Sequence, residues 1–121
     1  MEQLHQEKCQ PCKTGTTPLV PATYASLLES LSTDWTVIDE QKLKRTFRFS
    51  DFASALAFTN EVGKLAEAEG HHPDIYLAWG KVEITIWTHK IHGLSRSDFV
   101  LAAKIDALIG AHTQNQQKPP K

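Results

Sequence analysis

The run Leu43-Lys-Arg-Thr-Phe-Arg-Phe-Ser-Asp-Phe-Ala-Ser-Ala-Leu-Ala-Phe-Thr-Asn-Glu-Val-Gly-Lys-Leu-Ala-Glu-Ala-Glu-Gly70 changes its hydrophobic period once. Leu43, Arg45, Phe47 and Phe49 alternate with Lys44, Thr46 and Arg48, the pattern of a half-buried antiparallel strand. Arg45 and Arg48 read as charges on the sheet surface. From Ser50 to Glu69 the period lengthens to that of a helix. Phe52, Leu56, Thr59, Val62 and Ala66 share one stripe, with Phe58 and Leu65 beside it. Gly70 supplies a left-handed stop.

The flanks repeat the motif. Upstream, Trp35-Thr-Val-Ile-Asp39 reads as a strand, joined to the next by Glu40-Gln41-Lys42, a hairpin connection without the favoured glycine. Before it, Tyr24, Leu27, Leu28 and Leu31 predict a short amphipathic helix over Ala22–Ser32. Downstream, Ile75–Trp79 reads as a strand and Gly80-Lys81 as a turn. Val82, Ile84 and Ile86 then alternate with Glu83, Thr85 and Trp87 in a strand expected to end at His89. After the loop Lys90–Leu94, a last helix is expected over Ser95–Ala111. The order α-β-β-α-β-β-α predicts an α+β domain: a four-stranded antiparallel sheet with helices packed on one face. The domain is expected over residues 21–112. Residues 1–20, broken by Pro11, Gly15 and Pro18, read as an extended tail, and residues 113–121 as a flexible one.

A chain of 121 residues with 40% hydrophobic content is enough for one domain with a real core. Its net charge of −1, from 13 basic and 14 acidic residues, offers nucleic acid no electrostatic footprint. The start lacks the basic and apolar regions of a signal peptide, and no apolar run reaches a membrane span. A cytoplasmic protein without a membrane partner is the expectation. Cys9 and Cys12 form Cys-Gln-Pro-Cys, a spacing that serves redox chemistry or half a zinc site. No second cysteine pair follows, zinc would have to recruit His5 and one more ligand, and the stretch reads as surface tail.

The candidate site lies where elements end. His71 and His72 follow the helix stop, and Pro73 biases the backbone before it toward an extended form. Successive side chains in such a stretch point to opposite sides, so the two imidazoles should meet different surroundings. His89 shares a strand face with Glu83, Thr85 and Trp87, which stands it beside an aromatic ring. Imidazole takes and gives protons near neutrality, so three of them at element ends suggest proton transfer or a metal. Adjacent histidines diverge, and no HExxH or Cys/His motif accompanies them or His92, so no metal is expected. Ser95-Arg-Ser-Asp98 fits a capping box whose carboxylate is also free to orient an imidazole. Glu67 lies one helical turn before His71. No glycine loop for phosphate is present.

Glu67, three residues, His71-His72-Pro73, five residues, Trp79, nine residues, His89, eight residues and Asp98 together resemble the signature of the pterin-4a-carbinolamine dehydratases. The resemblance spans the first helix to the last and agrees with the α+β order. It implies removal of water from 4a-hydroxytetrahydropterin to give quinonoid dihydropterin in tetrahydrobiopterin recycling, with no metal or organic cofactor. Carried onto this chain, it makes His71, His72 and His89 catalytic, Glu67 and Asp98 supporting, and Pro73, Trp87 and Thr88 substrate-binding. It also implies a homodimer or homotetramer. Family members serve elsewhere as partners of a homeodomain transcription factor or as Rubisco assembly chaperones, so a non-catalytic binding role is the alternative. The chaperone-type relatives lack the complete histidine set found here. Two departures stand out: Ile75 replaces an aromatic residue of metazoan members, and Gly70 replaces a carboxylate of some.

Overall fold

Three helices and four strands form in the computed structural model, which describes residues 4–10 and 17–116, the last six as backbone alone. They are α1 (Pro21–Glu29), β1 (Thr36–Ile38), β2 (Lys42–Arg48), α2 (Phe52–Glu69), β3 (Asp74–Ala78), β4 (Lys81–Ile86) and α3 (Arg96–Gln116). The sheet is antiparallel throughout and ordered β1-β2-β4-β3, so the two hairpins meet along β2 and β4. The fold is α+β, as the periodicity predicts.

Register explains the two faces. Leu43 pairs with Ile86 and Phe47 with Val82, while Ile75 pairs with Ile84 and Leu77 with Val82. All of these side chains fall on one face, where β2 and β4 meet Phe58, Val62, Phe99 and Leu101 of α2 and α3 in the core. Burying one such aliphatic or aromatic side chain stabilises the fold by about 1.5–3 kcal/mol. Phe58 stands at 4.8 Å from Phe47 and 5.4 Å from Phe49, ring centre to ring centre, which seats α2 on β2.

Arg45 belongs to the covered face, not to the sheet surface. It pairs with Ile84, and its side chain is 13% exposed. Its Nη1 donates to Asp106 Oδ1 at 2.7 Å, and Nη2 lies 3.3 Å from Asp34. The same Asp106 accepts Trp35 Nε1 at 2.7 Å and the Ser32 amide at 2.9 Å. One carboxylate on α3 thus gathers β1, β2 and the link after α1. The alternation placed Arg45 on the apolar side all along; only a partner on a distant helix makes that position tolerable.

Element ends depart from expectation by small, explicable amounts. Asp51, not Ser50, precedes α2 as its cap and accepts the Ser54 amide at 2.8 Å. Gly70 stops α2 with φ +67°, and Gly80 turns β3 into β4 with φ +69°. The glycine-free first hairpin closes with positive φ at Asp39 and Glu40, which shortens β1 to three residues. The last strand stops at Ile86 because Thr88 and Gly93 exchange backbone hydrogen bonds at 2.9 and 3.4 Å, closing the loop on itself. His89 therefore opens a 3-10 turn, His89–Ile91, and does not end a strand. The last helix runs on past Ala111 to Gln116.

The segment read as an extended N-terminal tail carries a 3-10 turn at Leu4–Gln6, and Leu4 is buried in the core. The Cys9 amide donates to Glu69 Oε1 at 2.9 Å, and Lys104 lies 3.6 Å from Glu69 Oε2. Burial, then the nearby Glu69 carboxylate, pushes the Cys9 thiol up to about 12. Cys9 therefore stays a thiol, neither nucleophile nor ready metal ligand, and donates to the Ser97 carbonyl. Cys12 lies outside the described residues.

Removing Asp106 should be costly, since Arg45 and the Trp35 N–H lose their shared acceptor. Asp106→Ala is expected to lower stability by about 2–4 kcal/mol in urea unfolding. The double change Arg45→Met with Asp106→Leu should recover most of that loss; strictly additive losses would refute the coupling. A second prediction concerns Glu69. Burial by itself raises its pKa, but the Cys9 amide and the Lys104 and Lys8 ammoniums more than offset this and hold it below the ordinary value. A depressed carboxyl lends stability that is present above the unfolded pKa and lost as pH falls through the folded one. The Tm gap between the parent and Glu69→Gln should therefore be widest at neutral pH and close below about pH 4. A gap independent of pH would contradict it.

Candidate active site

Antiparallel pairing brings the histidines to one end of the sheet. Asp74 at the start of β3 pairs with Thr85 near the end of β4. The residues just before β3, His71 and His72, and those just after β4, Trp87 to His89, thus stand at the same edge. The N-terminus of α3 is delivered there by the closed loop from Thr88 to Gly93.

Asp98 is the centre of this group. Its residue is fully buried, and its carboxylate is shared among three segments. Oδ2 accepts the Ser95 amide at 2.8 Å, the half of the capping box that the Ser95-Arg-Ser-Asp98 spacing predicts. Oδ2 also accepts the Thr88 hydroxyl at 2.8 Å, and the Ser95 hydroxyl, 2.8 Å from Thr88 Oγ1, donates onward to it. Oδ1 faces His71 Nε2 at 2.6 Å. A buried carboxylate with three partners cannot rotate without leaving one unsatisfied, so it fixes the imidazole plane. Facing a carboxylate, which accepts when ionised, Nε2 is the ring nitrogen suited to carry the hydrogen of this contact, with Nδ1 on the other side of the ring.

The extended backbone before Pro73 makes the two rings diverge. His71 turns inward, 16% exposed, while His72 is 59% exposed and pairs through Nε2 with Glu67 Oε2 at 2.7 Å. Glu67 thus reaches His72 and not His71, although His71 is the residue one turn beyond it in sequence. Glu67, His72 and Pro73 line an open groove of about 630 Å³ with Ala66 and Ile75. Of the three histidines, His72 is the one that lines it.

His89 stacks on Trp87 with ring centres 4.0 Å apart and planes 25° from parallel. The aromatic wall expected beside His89 is therefore present even though the strand has ended. Lys42 Nζ lies 4.6 Å from the Trp87 ring centre, a cation–π contact that the sequence reading missed; alternation across the β2–β4 register is the signal that would have placed it. Trp87 Nε1 is buried and has no hydrogen-bond partner among the described residues. Thr88, read as a substrate contact, is itself buried, with its hydroxyl on Asp98 and Ser95. Among the described residues, no group of three or more His, Cys, Asp or Glu side chains is placed to hold a metal ion. No helix among them is long and apolar enough to cross a membrane. Chemically, two imidazoles with one nitrogen tied to a carboxylate, and a third over an indole, form a set of proton donors and acceptors.

The chain as a whole is similar to known proteins. The family model for pterin 4 alpha carbinolamine dehydratase matches residues 17–108. A relative from Alkaliphilus metalliredigens, provisionally named a pterin-4-alpha-carbinolamine dehydratase, is 52% identical over 106 residues, 88% of this chain and 96% of that one. A second so named, from Rubrobacter xylanophilus, is 51% identical over 108 residues, 89% of this chain and all of that one. Among solved structures, a transcriptional coactivator/pterin dehydratase from Brucella melitensis superposes with TM-score 0.70 at 29% identity, over 76% of this chain and 98% of its own. A pterin dehydratase-like protein identified as a RuBisCO assembly factor in the alpha-carboxysome gives 0.56 at 28%, over 64% and 90%. A match this long, to relatives nearly whole, leaves one assignment: the chain belongs to the pterin 4 alpha carbinolamine dehydratase family.

Proposed function

We propose that this chain is a hydro-lyase that dehydrates 4a-hydroxytetrahydropterin to quinonoid dihydropterin and water, in tetrahydrobiopterin recycling. The observation that carries the reading is the 2.6 Å contact between His71 Nε2 and a fully buried Asp98 held by hydrogen bonds from Thr88 and Ser95. A binding scaffold has no use for an imidazole held in one tautomer at an element end; a proton-transfer site does.

The reaction breaks the C4a–O bond and the N5–H bond and forms the C4a–N5 double bond. One group must protonate the departing hydroxyl and another must take the N5 proton. His71, with Nε2–H tied to Asp98, presents Nδ1 to take the proton. The buried carboxylate behind it steadies the positive charge the ring then carries. His89, exposed on its indole support, gives a proton as imidazolium to the leaving oxygen, and the N5 proton held on His71 returns to solvent as His89 takes one up. His72, held by Glu67, assists at the groove, where Pro73 and Ile75 offer apolar surface to the pterin, while Trp87 supports His89. Thr88 acts through Asp98. The reaction as written moves only protons and water and asks for no metal or organic cofactor.

The binding reading draws support from the names of the two solved relatives, a coactivator and an assembly factor. The carboxylate-paired histidines weigh against it as the main role. The sheet leaves β1 and β3 at its edges, and self-association into a homodimer or homotetramer along such an edge completes the proposal.

Freshly generated 4a-hydroxytetrahydropterin, followed by ultraviolet absorbance at neutral pH in chelator, supplies the test. The parent should accelerate its decay. His71→Gln, His89→Ala and Asp98→Asn should each lower kcat by about 10²–10⁴-fold. Added imidazole should restore His71→Gln in its free-base form and His89→Ala in its protonated form. No acceleration by the parent over buffer would end the dehydratase reading in favour of a binding role; rescue by the opposite buffer species would exchange the two histidines.

A further inference from the structure

Residues 4–10 lie ahead of the span that the family model matches, yet they touch both helix ends that carry the His71–Asp98 pair. On one side the Cys9 amide donates to Glu69, two residues before His71, at 2.9 Å. On the other, the Gln10 amide donates to Ser97 Oγ at 2.7 Å, and that hydroxyl donates back to the Gln10 carbonyl at 2.8 Å. Ser97 immediately precedes Asp98. The Cys9 thiol adds a contact to the Ser97 carbonyl at 3.6 Å.

Further anchors fix the segment itself. Leu4 is buried, Lys104 donates to the His5 carbonyl at 2.8 Å, and Glu7 takes Arg96 in a two-pronged pair at 2.9 and 2.6 Å. Beyond it, Leu19 donates its amide to the Leu94 carbonyl, on the loop that delivers Ser95. Within its own fold, the C-terminal end of α2 meets α3 through the partly buried His71–Asp98 contact and, further along α3, the Glu69–Lys104 ion pair at 3.6 Å. A contact of 2.6 Å between two helix ends is only as fixed as the spacing of those ends. The segment bridges the same gap with hydrogen bonds to each side.

We propose that residues 4–10 form a strap that positions the His71–Asp98 pair, acting through Glu69 and Ser97. Glu69 and Ser97 are positioning residues, since neither reaches the imidazole itself. The kinetic part of the test rests on the dehydratase reading; the spectroscopic part does not.

In the full chain, Glu69→Ala and Ser97→Ala, singly and together, remove the two anchor points while leaving Asp98 and its own partners in place. Ring ¹⁵N shifts of His71, assigned with His71→Gln, report its tautomer and hydrogen bond without substrate. The strap predicts that the double variant moves these shifts toward those of a solvated imidazole. It also predicts that kcat falls about 10- to 10²-fold with KM within about twofold, as a misplaced catalytic group would show. Ser97→Thr, which keeps the hydroxyl, should behave as the parent. A folded double variant with unmoved His71 shifts, whatever its Tm, overturns the proposal. Should the double variant not fold, the single Ser97→Ala shifts decide in the same sense. Should the parent show no dehydration, the ring shifts still decide alone.

Discussion

A carboxylate with no exposed surface is the constraint around which this molecule is arranged. A carboxylate in that position is tolerable only if hydrogen bonds replace the water it has lost. Asp98 receives them from three directions: the Ser95 amide at its own helix start, the Thr88 hydroxyl after β4, and the His71 ring ahead of β3. Each partner comes from a segment that would otherwise be a frayed end. Satisfying one buried charge therefore joins α3 to both strands of the second hairpin and leaves an imidazole with one nitrogen unavailable and one free. The network that stabilises the fold is the same set of bonds that orients the imidazole.

A second carboxylate on the same helix does for the first hairpin what Asp98 does for the second. Asp106 collects Arg45, Trp35 and the Ser32 amide, two turns of α3 further on. The helix is thus pinned to the sheet at two polar points, with Phe99, Leu101 and Ile105 packed between and beside them. Apolar packing alone would let a helix slide or rotate on a sheet at modest cost. Two carboxylates, each with three hydrogen-bond partners, specify its register.

Period and spacing carried most of the fold. Phe47 and Phe49 alternate with charged neighbours, Val62 and Ala66 recur on one stripe, and Gly70 ends the helix with the positive φ that a glycine there suggests. Asp98 as a helix cap was legible from Ser95 three residues earlier. What was not legible depended on distant partners. Arg45 followed the apolar alternation yet looked like surface charge until Asp106 supplied its counter-ion. Glu67 was one turn from His71 but bonds His72, because the left-handed Gly70 swings the chain before the first histidine. His89 left its strand early because Thr88 and Gly93 close a loop, a pairing invisible to periodicity.

The sequence by itself determined the elements, their order, the α+β class and the residues able to move protons. These depend on local periods, on caps within four residues, and on the chemistry of single side chains, all of which are written in consecutive positions. Only the tertiary structure decided which carboxylate holds which imidazole, which charge is buried, and that an apparent tail is bound to both helix ends. Apart from the Glu67–His72 pair, five positions apart, those outcomes rest on contacts between residues 27 to 99 positions apart. Nothing in the neighbouring sequence of either partner states them, because a buried polar group constrains whatever the fold brings to it and not what precedes it in the chain.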